Sequence, residues 1–385
     1  MKRLAIVQTR PTQFDGPLFR KLAMDKRLNL AVYYSAPVTK GLISEDPEIG
    51  AAPIWDNDIE TGYDSTTRSQ GPAAAWAFAR QIVAHQPDLL IISGYAPVYH
   101  LLIAIWARFK GISVGLRSDT TLEHSSSSGR QARLLLKRLL MPFVLSLYTA
   151  GHPVGTLARK YLIRYGFPED RIFEFPYAVD NEWFEEQSDA HRLHRNHLRE
   201  KIGIPAGAFV IVGVVKFVER EDPITLIRGF ASFQTQFQNA HLVLVGDGPL
   251  RTRIEGLAEF ASSNVHLPGF VPYSRLPMYY AISDVFVHPA VRESWGVSVN
   301  EAMACGLPVI VSQKVGSHVD LVREGKTGFL FEPGNPDALA RCLTKIAEDA
   351  NLQVAMSVKA QEMIKGWGYD CVAASIDKAL TSIRR

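Results

Sequence analysis

The sequence has few of the features that mark a disulfide-rich, metal-clustering, nucleic-acid-binding or membrane-spanning protein. Its three cysteines, Cys305, Cys342 and Cys371, are too scattered for a disulfide framework or a metal cluster. The formal net charge is only +3, so no nucleic-acid partner is expected. No apolar run reaches the roughly 18 residues that cross a membrane, and the N-terminal MKRLAIVQ is typical of a β-strand, not of a signal peptide. These absences indicate a globular protein of a reducing, cytoplasmic compartment.

A regular alternation of short apolar runs with longer amphipathic stretches extends along the 385 residues. The alternation is typical of βα units and parallel sheets. Because the series occurs twice, we predict an α/β protein with two Rossmann-like domains. We place the domains at residues 1–185 and 205–365, with the charged segment Asp180–Ile204 as a linker. Residues 368–385 are predicted to form a separate amphipathic helix.

Strands are predicted where aliphatic and β-branched residues cluster between turn signals. In the N-terminal domain they are Leu4–Gln8, Leu30–Tyr34, Asp88–Ser93, Ser113–Arg117 and Leu147–Ala150. In the C-terminal domain they are Phe209–Val215, His241–Val245, Val265–Leu267, Val285–His288, Pro308–Ser312 and Gly328–Phe331. The low-complexity segment Glu123–Gly129 is predicted to be a loop.

The most informative segment for chemistry is Val285–Gly334. Its loop carries Glu293 and Gly296, and a helix is predicted over Val297–Ala304 with Glu301 inside it. Glycine before a helix N-terminus allows close approach of a ligand, and the free N–H groups favour a phosphate there. Two carboxylates beside such a site can accept hydrogen bonds from sugar hydroxyls. The alternative is that Glu301 is a solvated helix residue and Glu293 a loop charge.

This segment resembles the hallmark of retaining glycosyltransferases of family four (glycosyl transferases group 1), in which a Glu, seven residues and a second Glu precede an A-x-A-x-G-x-P-V-type strand entry. The resemblance covers Gly213–Asp337 well and the N-terminal half more loosely. It implies a GT-B architecture of two domains facing a cleft, with the C-terminal helix 368–385 packing back on the N-terminal domain. It also implies transfer of a hexose from a nucleoside-diphosphate sugar to a hydroxyl, with retention.

The resemblance assigns the donor site to the C-terminal domain. Glu293 would contact the donor sugar and Glu301 the ribose hydroxyls. The other implied donor-binding residues are Gly246 and Gly248 in a glycine turn, Phe270 and Val271 beside the base, and Ser294, Trp295, Gly296 and Val297 around the helix N-terminus.

The segment GVVKFVEREDP departs from the family pattern. Relatives carry two cations about five residues apart that neutralise the diphosphate. Lys216 fits the first position, but the second falls on Glu221, with Arg220 beside it. A carboxylate facing phosphate oxygens would repel them, so we assign the second role to Arg220. The alternative is that Arg220 and Glu221 are a charged pair that leads a helix.

The resemblance also implies that the N-terminal domain binds the acceptor. Asp119, after the strand Ser113–Arg117, is the candidate for orienting or deprotonating an acceptor hydroxyl, although a capping role explains it equally well. Because ligands lie at the carboxyl ends of parallel strands, further candidates follow the other strands. These acceptor-binding candidates are Phe14, Asp15, Gly16 and Tyr95.

The segment Gly129–Leu140 places Arg130, Arg133, Lys137 and Arg138 among leucines at helical spacing. Such a basic amphipathic helix suits peripheral contact with an anionic membrane and a lipid-linked acceptor. An ordinary half-buried helix with a solvated basic face fits the pattern as well.

No metal and no cofactor are expected besides the donor substrate, because basic side chains and helix N-termini supply positive charge and there is no Asp-x-Asp motif. The expected products are polysaccharide, glycolipid or another glycoconjugate. Two rival functions fit the same residues: a GT-B-fold nucleotide-sugar epimerase, and a sugar-nucleotide-binding protein with impaired catalysis.

Overall fold

The structure is a computed structural model and describes residues 1–35, 48, 56, 59–68, 72–122, 131–261 and 263–383. The chain divides into two compact units. The N-terminal unit comprises Met1–Lys40, Asp58–Ala178 and Tyr369–Arg385, and the C-terminal unit comprises Gly41–Asn57 and Val179–Gly368. The predicted loop Glu123–Gly129 and Arg130 of the basic segment lie outside the described residues.

Each unit is built on a six-stranded parallel sheet. The N-terminal sheet has the order β3-β2-β1-β4-β5-β6, with β1 (Lys2–Gln8), β2 (Leu28–Tyr34), β3 (Asp64–Thr67), β4 (Leu89–Ser93), β5 (Ser113–Ser118) and β6 (Ala150–Pro153). The C-terminal sheet has the order β12-β11-β10-β7-β8-β9, with β7 (Phe209–Val214), β8 (Ala240–Val245), β9 (Val265–Gly269), β10 (Val285–His288), β11 (Val309–Ser312) and β12 (Gly328–Phe331). The predicted α/β class with two parallel sheets is confirmed.

Helices cover the sheets of both units. Those of the first unit are α1 (Asp15–Met24), α2 (Pro72–Ala84), α3 (Val98–Phe109), α4 (Gln131–Ser146), α5 (Thr156–Arg164) and α15 (Tyr369–Ser382). Those of the second are α6 (Asn181–Arg192), α7 (Arg195–Lys201), α8 (Pro223–Gln234), α9 (Arg251–Ala261), α10 (Leu276–Ala281), α11 (Val297–Ala304), α12 (His318–Leu321), α13 (Pro336–Ala347) and α14 (Ala350–Lys365).

Most strands inside each sheet are apolar on both sides, because helices cover both faces of a parallel sheet. In the N-terminal unit, side chains of α2, α3 and α4 share one core with β4 and β5. On the opposite face, α1 and the C-terminal helix α15 share a second core with β1 and β2. One further core fills the C-terminal unit between its sheet and the helices α8 and α13.

The charged segment Asp180–Ile204, predicted as a linker, forms α6 and α7 within the C-terminal unit. Its arginine Arg199 is buried and donates to the Asp284 carboxylate at 2.8 Å and to the Ile282 carbonyl at 2.8 Å. The charge of Arg199 therefore satisfies acceptors inside the C-terminal unit, which the local pattern does not reveal.

In the N-terminal half, one strand was not predicted and one predicted strand has other bounds. The edge strand β3 is exposed and has the polar sequence DSTT, so it carries no apolar signal. The strand predicted at Leu147–Ala150 is instead β6, which begins at Ala150, because α4 extends to Ser146. A short apolar run does not distinguish the end of a buried helix from a strand.

Candidate active site

The carboxyl edge of the C-terminal sheet has its topological switch point between β7 and β10. From β7 the chain proceeds to β8 on one side, and β10 pairs with β7 on the other. Ligands of open α/β sheets bind at such a point. The loop after β7 carries Lys216, Arg220 and Glu221, and the loop after β10 carries Glu293, so the fold brings these four side chains to the expected edge.

The guanidinium of Arg220 joins the two loops. The Nη1 of Arg220 pairs with the Glu293 carboxylate. The backbone carbonyl of Arg220 accepts hydrogen bonds from the Val291 N–H at 2.9 Å and the Arg292 N–H at 3.1 Å. Hydrogen bonding to Glu48 raises the pKa of Arg220, followed by the nearby charges of Glu221 and Glu293. Arg220 is therefore a cation that the acidic side chains of Glu48, Glu221 and Glu293 hold at the switch point.

Glu221 is buried below Arg220. One carboxylate oxygen accepts the Lys216 backbone N–H at 2.6 Å, and the other lies 2.9 Å from Arg220 Nη2. Burial, and then the charge of Glu293, raise the pKa of Glu221 to about 7, while Arg220 opposes the shift. The Glu221 side chain thus supports the Lys216–Arg220 loop from inside.

Glu48 is a third acidic partner of this cluster. Its carboxylate lies 2.9 Å from Lys216 Nζ and 2.6 Å from both Nε and Nη2 of Arg220. The hydrogen bond from Arg220 is the main reason that the pKa of Glu48 falls to about 2. An anionic group bridges the two predicted phosphate-binding cations in this structure.

The helix α11 begins at the same edge without a side-chain cap, with Gly296 as its N-cap residue at φ 86°. A Cβ at Gly296 would lie 2.7 Å from Val315 Cγ1 and 2.9 Å from His288 Cδ2, so only glycine fits. The uncapped first turn leaves backbone N–H groups to bind an anion. Trp295 contributes through packing, since it is buried and donates from Nε1 to Asn300 at 2.9 Å.

Glu301, predicted to bind ribose, is 3% exposed and not solvated. It accepts the Tyr280 hydroxyl at 2.7 Å. Burial raises its pKa to about 7, and the Tyr280 hydrogen bond only partly opposes this. The alternative that Glu301 is a solvated helix residue is therefore wrong. The structure shows a buried carboxylate that accepts a hydrogen bond from Tyr280.

The remaining donor-site predictions fall on structurally constrained positions. A Cβ at Gly246 would lie 1.8 Å from the Val215 carbonyl oxygen, and one at Gly248 2.8 Å from the Phe217 carbonyl oxygen. These glycines therefore let the β8 turn pack on the Lys216 loop. Val271 is buried and Phe270 is half-buried, while Ser294 and Val297 are half-buried beside Gly296.

The N-terminal unit contains a cavity of about 440 Å³ at its own switch point, between β1 and β4. Three of the four acceptor candidates line this cavity, namely Phe14, Asp15 and Tyr95, and so does Asp119. Gly16 is absent from the cavity wall within the described chain. It lies in α1, where a Cβ would meet the Ile59 carbonyl oxygen at 2.6 Å, so its glycine serves packing.

A buried ion pair forms the floor of this cavity. Arg117 Nη1 lies 3.0 Å from Asp15 Oδ1, and Gln8 donates to Asp15 Oδ2 at 2.7 Å. Arg117 Cζ lies 4.1 Å from the centroid of the Phe175 ring. Thr12 Oγ1 also donates to Asp15 Oδ2 at 3.1 Å, so donors from Arg117, Gln8 and Thr12 hold the Asp15 carboxylate at the cavity.

A hydrogen bond from a tyrosine hydroxyl holds Asp119 in place. The Tyr177 hydroxyl donates to Asp119 Oδ2 at 3.2 Å, and burial raises the Tyr177 pKa well above its ordinary value. The Tyr177 hydroxyl thus fixes the position of the Asp119 side chain at the cavity.

Sequence reasoning missed Arg117, Tyr177 and Glu48. An arginine within the apolar strand β5 was a usable signal, because a buried charge needs a partner. Glu48 carries no such signal, since 168 residues separate it from Lys216.

Among the described residues, no group of three or more histidines, cysteines and carboxylates could hold a metal ion. Within the same part of the chain, no helix is long and apolar enough to cross a membrane.

The chain resembles glycosyltransferases in sequence and in fold. Residues 194–363 match the family model of glycosyl transferases group 1. A GDP-mannose-dependent alpha-(1-6)-phosphatidylinositol monomannoside mannosyltransferase of Mycobacterium tuberculosis is 27% identical over 329 residues, 82% of this chain and 81% of the relative. An alpha-monoglucosyldiacylglycerol synthase of Acholeplasma laidlawii is 27% identical over 183 residues, 47% of this chain and 45% of the relative.

Two solved structures show the fold. Anabaena Alr3699/HepE in complex with UDP has a TM-score of 0.73 at 18% identity and covers 99% of this chain and 100% of that chain. Sucrose-phosphate synthase from Thermosynechococcus elongatus has a TM-score of 0.75 at 17% identity and covers 100% of this chain and 99% of that chain. Residues 194–363 belong to the glycosyl transferases group 1 family, and the chain is a glycosyltransferase with the GT-B fold.

Proposed function

We propose that the protein transfers a hexose from a nucleoside-diphosphate sugar to a hydroxyl acceptor with retention of anomeric configuration. The observation that carries this proposal is the cluster of Lys216, Arg220 and Glu293 at the switch point of the C-terminal sheet, beside the uncapped N-terminus of α11. Two cations and free N–H groups fit a diphosphate, and a carboxylate next to them fits the hydroxyls of the sugar that the diphosphate carries.

In the proposed reaction, Lys216 and Arg220 stabilise the charge that develops on the diphosphate as its bond to the sugar C1 breaks. Glu293 accepts hydrogen bonds from the sugar, and Glu301 accepts them from the ribose. The acceptor oxygen forms the new bond to C1, and its proton passes to the departing phosphate. We propose no metal and no further cofactor, because the side chains and helix N-terminus can supply the positive charge.

The N-terminal cavity is the proposed acceptor site. Asp15, fixed by Arg117 and Gln8, and Asp119, fixed by Tyr177, present carboxylate oxygens that can orient a hydroxyl. A cavity of about 440 Å³ is large enough for a sugar-sized group. This feature favours transfer over nucleotide-sugar epimerisation, which needs no acceptor.

The relatives suggest the reaction partners. One relative is named for GDP-mannose and a phosphatidylinositol monomannoside, and HepE was solved with UDP, with UDP and glucose, and with UDP-glucose. We propose a GDP- or UDP-hexose donor and an acceptor in glycolipid, polysaccharide or glycoconjugate synthesis. We propose a reducing cytoplasmic location, which three free cysteines, two of them buried, support.

The test is to incubate the protein with single nucleotide sugars, with and without hydroxyl acceptors, and to identify products by mass spectrometry and the anomeric proton coupling. A new glycoside of unchanged anomeric configuration supports the proposal. An epimerised sugar without acceptor transfer identifies an epimerase, and binding without turnover identifies a catalytically impaired protein. The Lys216→Ala variant should lose turnover, whereas Lys359→Ala on the exposed side of α14 should retain it.

A further inference from the structure

The helices α3 and α4 are apolar on their outer sides as well as on their inner sides. On α3 the buried side chains include Ile103, Ala104 and Ala107. The large apolar side chains that are instead exposed on this helix are Val98 (71%), Leu102 (60%), Ile105 (48%) and Phe109 (77%). Their spacing of four, three and four residues places them on one stripe. A helix that is apolar all round is ordinarily buried or in contact with lipid.

A matching stripe lies on α4. Its exposed apolar side chains are Leu136 (55%), Leu139 (59%), Leu140 (51%) and Phe143 (74%). In the described part of the chain, α2, α3 and α4 together carry more than half of the exposed large apolar side chains. Soluble monomers rarely expose contiguous apolar surface of this kind unless it binds something.

The two stripes belong to one layer of the N-terminal unit. α3 connects β4 to β5, α4 connects β5 to β6, and the inner side chains of both helices share one core on the same face of the sheet. Successive right-handed crossovers place such helices side by side. We name these eight exposed side chains, together with the exposed cations Arg108, Lys110 and Arg138, the α3–α4 surface.

The charged side chains that α3 and α4 carry have a single sign. None of the 12 residues of α3 or the 16 residues of α4 is an aspartate or a glutamate. Arg108, Lys110 and Arg138 are exposed, and Lys110 Nζ lies 5.0 Å from the centroid of the Trp106 ring. Lysine and arginine with apolar stems and an aromatic neighbour suit the boundary between lipid tails and headgroups.

From this arrangement we propose that the α3–α4 surface docks the protein on an anionic lipid bilayer, with the apolar side chains entering the acyl boundary and the cations contacting lipid phosphates. A second copy of this chain is a poorer occupant, since it would bring the same cations to the border. The docking does not depend on the transfer reaction.

The experiment is flotation of the full-length protein with vesicles of phosphatidylcholine alone and of phosphatidylcholine mixed with phosphatidylglycerol, at low and high salt. No donor or acceptor is present, so failure of the transferase proposal would not affect the result. We expect binding to the anionic vesicles, weakened by salt.

Two variants separate the apolar contribution to vesicle binding from the electrostatic contribution. We expect vesicle partitioning to fall roughly a hundredfold in the apolar variant, Leu102→Gln/Phe109→Gln/Phe143→Gln. We expect a similar fall in the cationic variant, Arg108→Gln/Lys110→Gln/Arg138→Gln. The reason is that each of the three side chains in a variant changes the partition coefficient by a factor of several. The matched control is Val354→Gln/Val358→Gln on α14, where the residues are 64% and 48% exposed, and it should bind like the wild type. Because all of these side chains are exposed, thermal unfolding should be unchanged.

Three outcomes would overturn the proposal. The first is absence of binding to anionic vesicles, and the second is equal binding by the apolar variant and the control. The third is a dimer in sedimentation velocity that the apolar variant abolishes, without vesicle binding, which would assign the surface to a second copy.

Discussion

Replacement of Glu221 by lysine would restore the cation that the family pattern places at this position, yet the structure predicts that the substitution is harmful. The Glu221 side chain is 8% exposed, accepts the Lys216 N–H at 2.6 Å and lies 2.9 Å from Arg220 Nη2. Lysine cannot accept the N–H and would place an ammonium against the Arg220 guanidinium. Both losses occur where water cannot compensate.

The magnitude follows from an uncompensated buried charge, which costs about 3 to 5 kcal/mol. For a unit of this size, each kcal/mol lowers Tm by roughly 2 to 4 °C, so Glu221→Lys should lower Tm by roughly 6 to 20 °C. Glu221→Gln is the matched control, because its amide oxygen can still accept the Lys216 N–H. We expect it to cost about 1 to 2 kcal/mol.

The assay is thermal unfolding of both variants, followed by calorimetric titration of nucleoside diphosphate into each at a temperature where it remains folded. We expect weaker nucleotide binding in Glu221→Lys than in Glu221→Gln, because the Lys216–Arg220 loop is displaced. A Glu221→Lys variant with wild-type Tm and tighter nucleotide binding would refute the reasoning and show that position 221 faces the phosphates.

Three further predictions concern the donor site. Lys216→Ala and Arg220→Ala should each lower turnover about a hundredfold, the scale of one lost oxyanion-type donor, and full activity in both would remove this loop from the site. Glu301→Gln should weaken nucleoside-diphosphate binding roughly tenfold at pH 8. Burial raises the Glu301 pKa to about 7, so the carboxylate is protonated as the pH falls from about 8 to 6, and the wild type should lose nucleoside-diphosphate affinity over this range. Calorimetry at both pH values should show a smaller change in affinity for Glu301→Gln. Glu48→Gln should tighten nucleotide binding several-fold, since its carboxylate occupies Lys216 and Arg220, and unchanged affinity would mean that Glu48 does not compete with phosphate.

The α/β class and most of the strands could be predicted from the residue pattern. The strands Val285–His288 and Gly328–Phe331 and the helix Val297–Ala304 have the predicted bounds. These elements are specified locally, because an apolar run between turn residues has few other structures in a chain of βα units. The rule for parallel strands also led to the acceptor candidates Phe14, Asp15 and Tyr95, which line the cavity of the N-terminal unit.

The surroundings of the site residues depend on contacts between distant segments, which the residue pattern does not reveal. The pairing of Arg220 with Glu48, the inward direction of Glu221 and the burial of Glu301 against Tyr280 each join residues that the linear pattern does not connect. The same is true of Arg117 and Asp15, which are 102 residues apart, and of α3 and α4, whose apolar outer sides look like ordinary core in the sequence. Hydrophobic periodicity reports which residues avoid water in a segment, whereas charge pairing, burial and exposure depend on which segments the fold brings together.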